Sequence, residues 1–319
     1  MSAVTLEQPV GQTSSASKFI RRAPGILGLL FLAIVAVVEI VPFVFTVVNS
    51  AKCLPAINAA PWAFIPSSGF IDCRNEEGRP LPASAMTSGA TFQPSLEGYQ
   101  MVIARDLPRW FMNSVIFAAA VTICRILIDS LAGYSLARLK FPGNRLIFFI
   151  ILGTLMIPGV VLIVPRFILL KQLGILNTYQ GLIIPLAADA FGIFLMKQFF
   201  ESIPRELEEA AEVDGASRLT TFFRIILPIS TPALTALTIF SIQGMWNNFM
   251  DALIIVGTNP SLWTLTLGLS SLQGAGGETL IWNLFLAGAV ITTIPMAIVF
   301  FAFQRYFVEG VSYSGLAGQ

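Results

Sequence analysis

Two groups of polar side chains carry what chemistry this sequence offers. Glu201, Glu206, Glu208, Glu209, Glu212 and Asp214 fall within fourteen residues. Gln243, Trp246, Asn247, Asn248 and Asp251 form the second group, with Gln243, Asn247 and Asp251 spaced by four, so one helix would carry them as a polar stripe. Amides, a carboxylate and an aromatic ring suit sugar hydroxyls and a sugar face. The same residues also suit interhelical hydrogen bonding, worth about 0.6 kcal/mol per contact. Arg125 and Asp129 are four apart and can meet on one helix face, as a structural ion pair or as part of a pathway. Glu39 and Asp189 are further ionisable groups in apolar surroundings, where such groups are functional candidates. Bond-making chemistry is poorly provided for. The chain has no histidine, which excludes a serine–histidine triad, a histidine-ligated metal and a histidine proton relay. No Gly-Lys pair occurs, so there is no phosphate-cradling G-x-x-x-x-G-K-[ST] loop with which to hydrolyse ATP. We expect neither a catalytic residue nor a metal or cofactor site in this chain.

The elements that must position these groups lie in a membrane. The 319 residues are 55% hydrophobic and 12% charged, half the charge of an ordinary soluble domain. A spanning helix needs about 20 mostly apolar residues, and six stretches qualify, near 26–48, 111–133, 146–165, 180–200, 232–256 and 282–303. The third and fourth are the least clean, because Arg166 and Lys171 interrupt the apolar run between them. The first is too long for a cleaved signal peptide and reads as a retained helix. Lys and Arg concentrate beside alternate ends, including Lys18, Arg21, Arg22, Arg138, Lys140, Arg145, Arg205, Arg218, Arg224 and Arg305, which puts both termini in the cytoplasm. Trp110 and Trp282 open helices where an aromatic ring anchors at headgroups. The expected fold is therefore all-α, a polytopic membrane protein with six transmembrane helices. Its divisions are a cytoplasmic segment 1–25, a first transmembrane helix 26–48, an extracytoplasmic segment 49–110, a transmembrane core 111–304 containing a cytoplasmic loop 201–229, and a tail 305–319 whose glycines imply a mobile extension. Cys53 and Cys73 lie in the outer segment, where a bridge and two free thiols are both open, while Cys124 reads as packing. A net charge of +1 gives no footprint for nucleic acid.

The acidic group has its own local code. Pro204 suits a helix start with Ser202 as cap, and the acids fill the first turns, where the helix dipole favours them. Gly215 then reads as a C-terminal glycine. A second short helix, from Ser217 to Leu227, stops at Pro228. By charge alone this is a solvated helix–turn–helix on the membrane surface. The residues say more: Glu209-Ala210-Ala211, three residues, Gly215, nine residues, then Ile225-x-Leu227-Pro228 resembles the EAA loop of importer-type ATP-binding-cassette (ABC) transporter permeases. Asp214-Gly215-Ala216 is similar to the carbohydrate-uptake branch, and so are Asn113-Ser114, Ala137-Arg138-Leu139-Lys140-Phe141-Pro142-Gly143, Ile157-Pro158, Leu176-Asn177-Thr178-Tyr179 and Trp246-Asn247-Asn248-Phe249. The likeness is to the maltose-type second permease subunit, over roughly residues 95–310. Two departures accompany it: a longer outer segment, and Trp-Asn-Asn-Phe where the family's run is Trp-Asn-Asp-Phe.

This resemblance implies a binding-protein-dependent importer of a sugar, with di- and oligosaccharides favoured, in a prokaryotic cytoplasmic membrane. It implies four kinds of neighbour: a homologous second permease subunit, two ATPase subunits that hold ATP and Mg, an extracytoplasmic substrate-binding protein, and the lipid bilayer. It assigns Glu209, Ala210, Ala211, Asp214, Gly215, Ala216, Leu227 and Pro228 to ATPase coupling. Gln243, Trp246, Asn247, Asn248 and Asp251 remain the candidates for the translocation pathway. The competing class is a secondary transporter or channel, which predicts midplane ionisable relays and internal repeats; a membrane-embedded enzyme is a third class.

Overall fold

The computed structural model describes residues 15–59, 62–63, 94–273 and 281–316. Among these, all regular structure is helical: α1 (Ser15–Ser50), α2 (Leu54–Ala59), α3 (Glu97–Ala104), α4 (Leu107–Arg138), α5 (Asn144–Leu155), α6 (Ile163–Gln172), α7 (Tyr179–Ile183), α8 (Ala190–Ser202), α9 (Glu206–Val213), α10 (Arg218–Thr221), α11 (Leu227–Ile229), α12 (Thr231–Trp246), α13 (Met250–Val256), α14 (Leu265–Ser271) and α15 (Trp282–Leu316). The residues of the outer segment that include Cys73 lie outside the described set.

Three helices are long and apolar enough to cross a bilayer alone: α1, α4 and α15. The other expected spans are broken. Between α5 and the turn that leads into α6 the chain bends by 96°, at Met156–Pro158. Pro158 cannot donate its nitrogen to the helix ladder, and it leaves φ −58°, ψ 128° at the corner. The segment ending in α7 and a following short turn (Ile184–Leu186) meets α8 at 42°. The stretch 232–256 is likewise two helices, because Asn247–Phe249 separates α12 from α13. Finally, α15 continues as helix over the residues from which a mobile tail was expected, through to Leu316. Its isolated glycines there weaken the helix by about 1 kcal/mol each without breaking the ladder.

α4 is the central strut, packed on α8 and α12. Its approach to α8 depends on two missing side chains. A Cβ on Gly133 would lie 2.9 Å from the Lys197 nitrogen, and one on Gly192 would lie 2.2 Å from Asp129 Oδ2. One apolar cluster, including Phe117, Val121, Leu182, Met245 and Ile255, fills the middle of this layer. A second, Tyr134, Met196, Phe200, Ile203, Phe222, Ile226, Ala233 and Leu237, lies under the acidic loop. By contrast, residues 28–44 of α1, Glu39 among them, are exposed throughout.

The break before α8 also redirects the charges of α4. Helix ends leave backbone groups without intrahelical partners, and here two side chains of α4 take them. Arg125 Nε donates to the Leu186 carbonyl at 2.9 Å, and Asp129 accepts from the Asp189 N–H at 3.0 Å. The expected Arg125–Asp129 pair is therefore not formed; Arg125 faces Asp189 instead, 4.0 Å away. Asp189 is not inside a helix but caps α8, accepting from Gly192 N–H at 3.2 Å. Trp110 likewise departs from expectation: it is buried, beside Trp263 and over Gly268, rather than set as a headgroup anchor. Trp282 does open α15 partly exposed.

Candidate functional site: an acidic helix–turn–helix and a polar break

The acidic loop folds as a helix, a left-handed glycine and a second helix. α9 carries Glu206, Glu208 and Glu209 in its first turn, where unpaired N–H groups favour negative charge. The expected Ser202 cap is absent: its hydroxyl donates back to the Phe199 carbonyl at 2.7 Å, inside α8. At the other end Gly215 has φ +79°, and Ala216 N–H reaches the Ala211 carbonyl at 2.9 Å. That is the six-to-one bond of a glycine helix stop. No atom lies within 4 Å of a Cβ placed on Gly215, so the glycine is required by its backbone angle and not by crowding. Ser217 then caps the next helix, accepting from Thr220 N–H at 3.3 Å.

The second helix passes through Pro228 instead of stopping there. A π turn, Phe222–Ile226, precedes the proline, and Leu227 N–H bonds back to the Phe222 carbonyl. The register slip adjoins the position where proline offers no N–H. The chain turns only after Ile229, by 79°, into α12.

This unit divides into an inner and an outer face. Ala211 is buried and Leu227 joins the apolar cluster beneath. Glu209, Ala210, Asp214, Gly215 and Pro228 are exposed, and Ala216 is half-buried. The two alanines thus divide their roles, Ala211 seating the helix and Ala210 facing outward. Apolar side chains accompany the outward charges: Val213 is 88% exposed and Leu219 65%. A short helix that presents a carboxylate, a small residue and bare apolar side chains is shaped for a protein groove.

The second polar group does not lie along one helix. α12 ends at Trp246, and Asn247 and Asn248 occupy the break. Asn248 Oδ1 accepts from the Asp251 N–H at 3.1 Å, and its Nδ2 donates to Asp251 Oδ2 at 2.9 Å. Asp251 Oδ1 is paired with Arg166 Nη1 of α6. Trp246 is buried, with Nε1 donating to the Thr292 carbonyl of α15 at 3.1 Å and its ring edge-on to Phe111. The tryptophan is thus a packing residue. Gln243 and Asn247 are the exposed members of the group.

Residues 129–313, which contain both groups, match the family described as binding-protein-dependent transport system inner membrane component. The chain belongs to this family. It is 36% identical over 209 residues to the arabinooligosaccharides transport system permease protein AraQ of Halalkalibacterium halodurans, covering 66% of this chain and 74% of that one. It is 36% identical over 233 residues to the trehalose/maltose transport system permease protein MalG of Thermococcus litoralis, covering 72% and 83%. A diacetylchitobiose uptake permease of Streptomyces coelicolor is 35% identical over 209 residues, covering 65% and 69%. Among solved structures, a chain of a bacterial ABC transporter involved in the import of the acidic polysaccharide alginate superposes with a TM-score of 0.72 at 21% identity, covering 93% of this chain and 100% of that chain, which establishes the shared fold.

The protein is therefore a helical, multi-pass permease subunit of an ABC importer, a class in which the ATPase is a separate subunit. It works with a partner permease and an ATPase. Within the permease, Cys53 is buried and disulfide-bonded, and Cys124 carries a free thiol. Two arginines went unassigned in the sequence. Arg166 read as an interruption of an apolar run, yet it neutralises Asp251. Arg138 read as a topological marker, yet its side chain is covered beside the acidic loop. A cation inside or at the end of a span is the signal each offered.

Proposed function

We propose that this permease forms half of the translocation pathway of a sugar importer, di- or oligosaccharide by preference, in a prokaryotic cytoplasmic membrane. In this reading the chain crosses six times, three of them through broken helices, with both termini and the acidic loop in the cytoplasm. Its neighbours are a homologous permease, two ATPase subunits that bind ATP and Mg, and an external substrate-binding protein. The observation that carries this reading is the exposed helix–glycine–helix of residues 206–229, firmly seated beneath and bare above. Glu209, Ala210, Asp214, Gly215 and Pro228 form its outward surface; Ala211, Ala216 and Leu227 seat it. Glu209 offers a carboxylate to a basic group of the ATPase, and the loop moves with that subunit as one body. Sugar selectivity is supported by the named substrates of the relatives and by the two uncommitted amides, Gln243 and Asn247, at the break of the fifth span.

The test is reconstitution of the complex in proteoliposomes with Gly215→Val or Glu209→Lys. Both variants insert, and both lose solute uptake per ATP hydrolysed. Normal coupled transport by both refutes the reading. For the pathway, Asn247→Ala and Gln243→Ala alter uptake or specificity; unchanged transport assigns these amides to packing.

A further inference from the structure

The coupling loop is attached to the membrane core through one guanidinium. Arg138 is the last residue of α4, and its side chain is 4% exposed. Its Nη2 donates to the Ile203 carbonyl at 2.5 Å, and its Nε lies 2.9 Å from Glu208 Oε1. Ile203 is the residue at which α8 ends, and Glu208 sits in the first turn of α9. A single planar cation thus holds the end of the central strut, the exit of the fourth span and the coupling helix together. Lysine carries one point charge and cannot bond the carbonyl through one nitrogen of a rigid plane while facing the carboxylate with another.

The neighbouring carboxylates have opposite assignments. Glu208 is turned in toward Arg138, while Glu209 beside it is exposed. Behind the pair lies a polar cavity of about 170 Å³ lined by Tyr134, Arg138, Glu208, Glu212, Arg218 and other residues of the loop. The loop's other attachment is apolar, through Phe222 and Ile226 against Tyr134 and Phe200. Apolar contact resists separation but not sliding, because it has no directional preference. The charge-assisted bond to the Ile203 carbonyl fixes orientation, and the ion pair, formed without an aligned hydrogen bond, holds the Glu208 carboxylate close to the same guanidinium. The core to which Arg138 is anchored is itself closely packed, since Gly133 lets α4 approach the α8 backbone and Gly192 leaves room for the Asp129 side chain.

The geometry points to Arg138 as a positioning residue for transport, holding Glu208 and the Ile203 carbonyl so that movement of the coupling helix becomes movement of α4 and α8. This rests on the proposed docking of the loop on an ATPase. Without this attachment, α9 can still be gripped and displaced by the ATPase, but it pivots on its apolar seat and the spans do not follow.

The experiment uses the full complex in proteoliposomes, with Arg138→Gln, Glu208→Gln, the double variant and Arg138→Lys, reading subunit stoichiometry, ATP hydrolysis and solute uptake separately. Arg138→Gln and Glu208→Gln keep the ATPase bound and hydrolysing while solute delivered per ATP falls roughly tenfold, within the 5–150-fold range of ordinary coupling between sites. The double variant is no worse than Arg138→Gln, because the two act through one contact, and Arg138→Lys restores only part of the ratio. An unchanged ratio in assembled single variants overturns the assignment. So does a parallel fall of hydrolysis and uptake, or loss of assembly in both single variants, either of which makes the pair a folding or docking contact. If the unaltered complex shows no ATP-driven uptake, the docking reading itself fails; if it transports and the variants match it, only the role of Arg138 does.

Discussion

Replacing Arg166 with methionine tests whether the broken third and fifth spans are pinned to each other. The guanidinium of Arg166 and the carboxylate of Asp251 are both largely buried, at 20% and 16% exposure. Removing one partner of a buried pair costs about 3–5 kcal/mol, because the other charge is left uncompensated. Asp251 retains Asn248 Nδ2 at 2.9 Å and some solvent contact, which places the expected loss nearer 2–3 kcal/mol. In a chain of this size each kcal/mol lowers the midpoint by roughly 2 °C, so Arg166→Met shifts thermal unfolding by about 5 °C. The assay is thermal unfolding in nanodiscs of Arg166→Met, Asp251→Asn and the double variant. Neutralising Asp251 removes the stranded charge, so the double variant recovers at least about 1 kcal/mol relative to the sum of the singles, as coupled sites do. Strict additivity refutes the pairing and returns Asp251 to the set of residues free to meet a solute.

Gly192→Ala forces a methyl to within 2.2 Å of Asp129 Oδ2 and 2.8 Å of Leu237, and overpacking of this kind lowers stability by about 1–3 kcal/mol, measured as a drop in unfolding midpoint. Trp246→Phe removes the Nε1 bond to Thr292 and costs about 1 kcal/mol while leaving solute preference unchanged in a competition-uptake assay. Lys52, just beyond α1, is buried and donates to Asn49 Oδ1 at 3.1 Å and to the Ala63 carbonyl; Lys52→Met strands both acceptors at a cost of about 1–3 kcal/mol in the same unfolding assay. Burial also holds the Lys52 ammonium below the ordinary lysine value. The unfolded chain therefore binds that proton more tightly in the window just under pH ~10.4, and this group makes stability rise with pH there. Lys52→Met abolishes that slope.

What the sequence disclosed depended on how local the cause was. Gly215 could be placed because a helix stop at φ +79° is a single-residue property. The acids of α9 could be placed because the helix dipole acts within one turn. The long apolar helices followed from length alone. The breaks were less legible. Pro158 marked one, but nothing in the composition of 232–256 says that the ladder lapses at Asn247 rather than carrying Gln243, Asn247 and Asp251 along one face. That lapse is sustained by side chains distant in sequence: Arg166 holds Asp251, and Thr266 Oγ1 donates to the Asn248 carbonyl at 3.2 Å. The expected Arg125–Asp129 pair failed for the same reason, since spacing by four states that two residues can meet, not that nothing better is offered. Backbone groups freed at the start of α8 were the stronger partners.

The broken spans and the buried cations belong to one arrangement. In a bilayer an interrupted helix exposes carbonyls and N–H groups that lipid cannot satisfy. Three of the interruptions here are answered by polar side chains from another element: Arg125 and Asp129 at the start of α8, Arg166 through Asp251 at the start of α13, and Arg138 where α8 gives way to the acidic loop. A break held this way is directional, because the cation fixes which element follows which. α4 supplies three of these four side chains, and at Gly133 it lies directly against the α8 backbone. If α9 docks on an ATPase as proposed, force arriving there has a route along α4, past Asp129 and Arg125, to the layer that holds Phe117, Val121 and Met245. α1, exposed along residues 28–44, shares little of that route. Substitutions on its exposed apolar face, such as Leu30→Ala or Val37→Ala, accordingly leave solute delivered per ATP unchanged, whereas Gly133→Leu, which drives a side chain into the Lys197 backbone, lowers it.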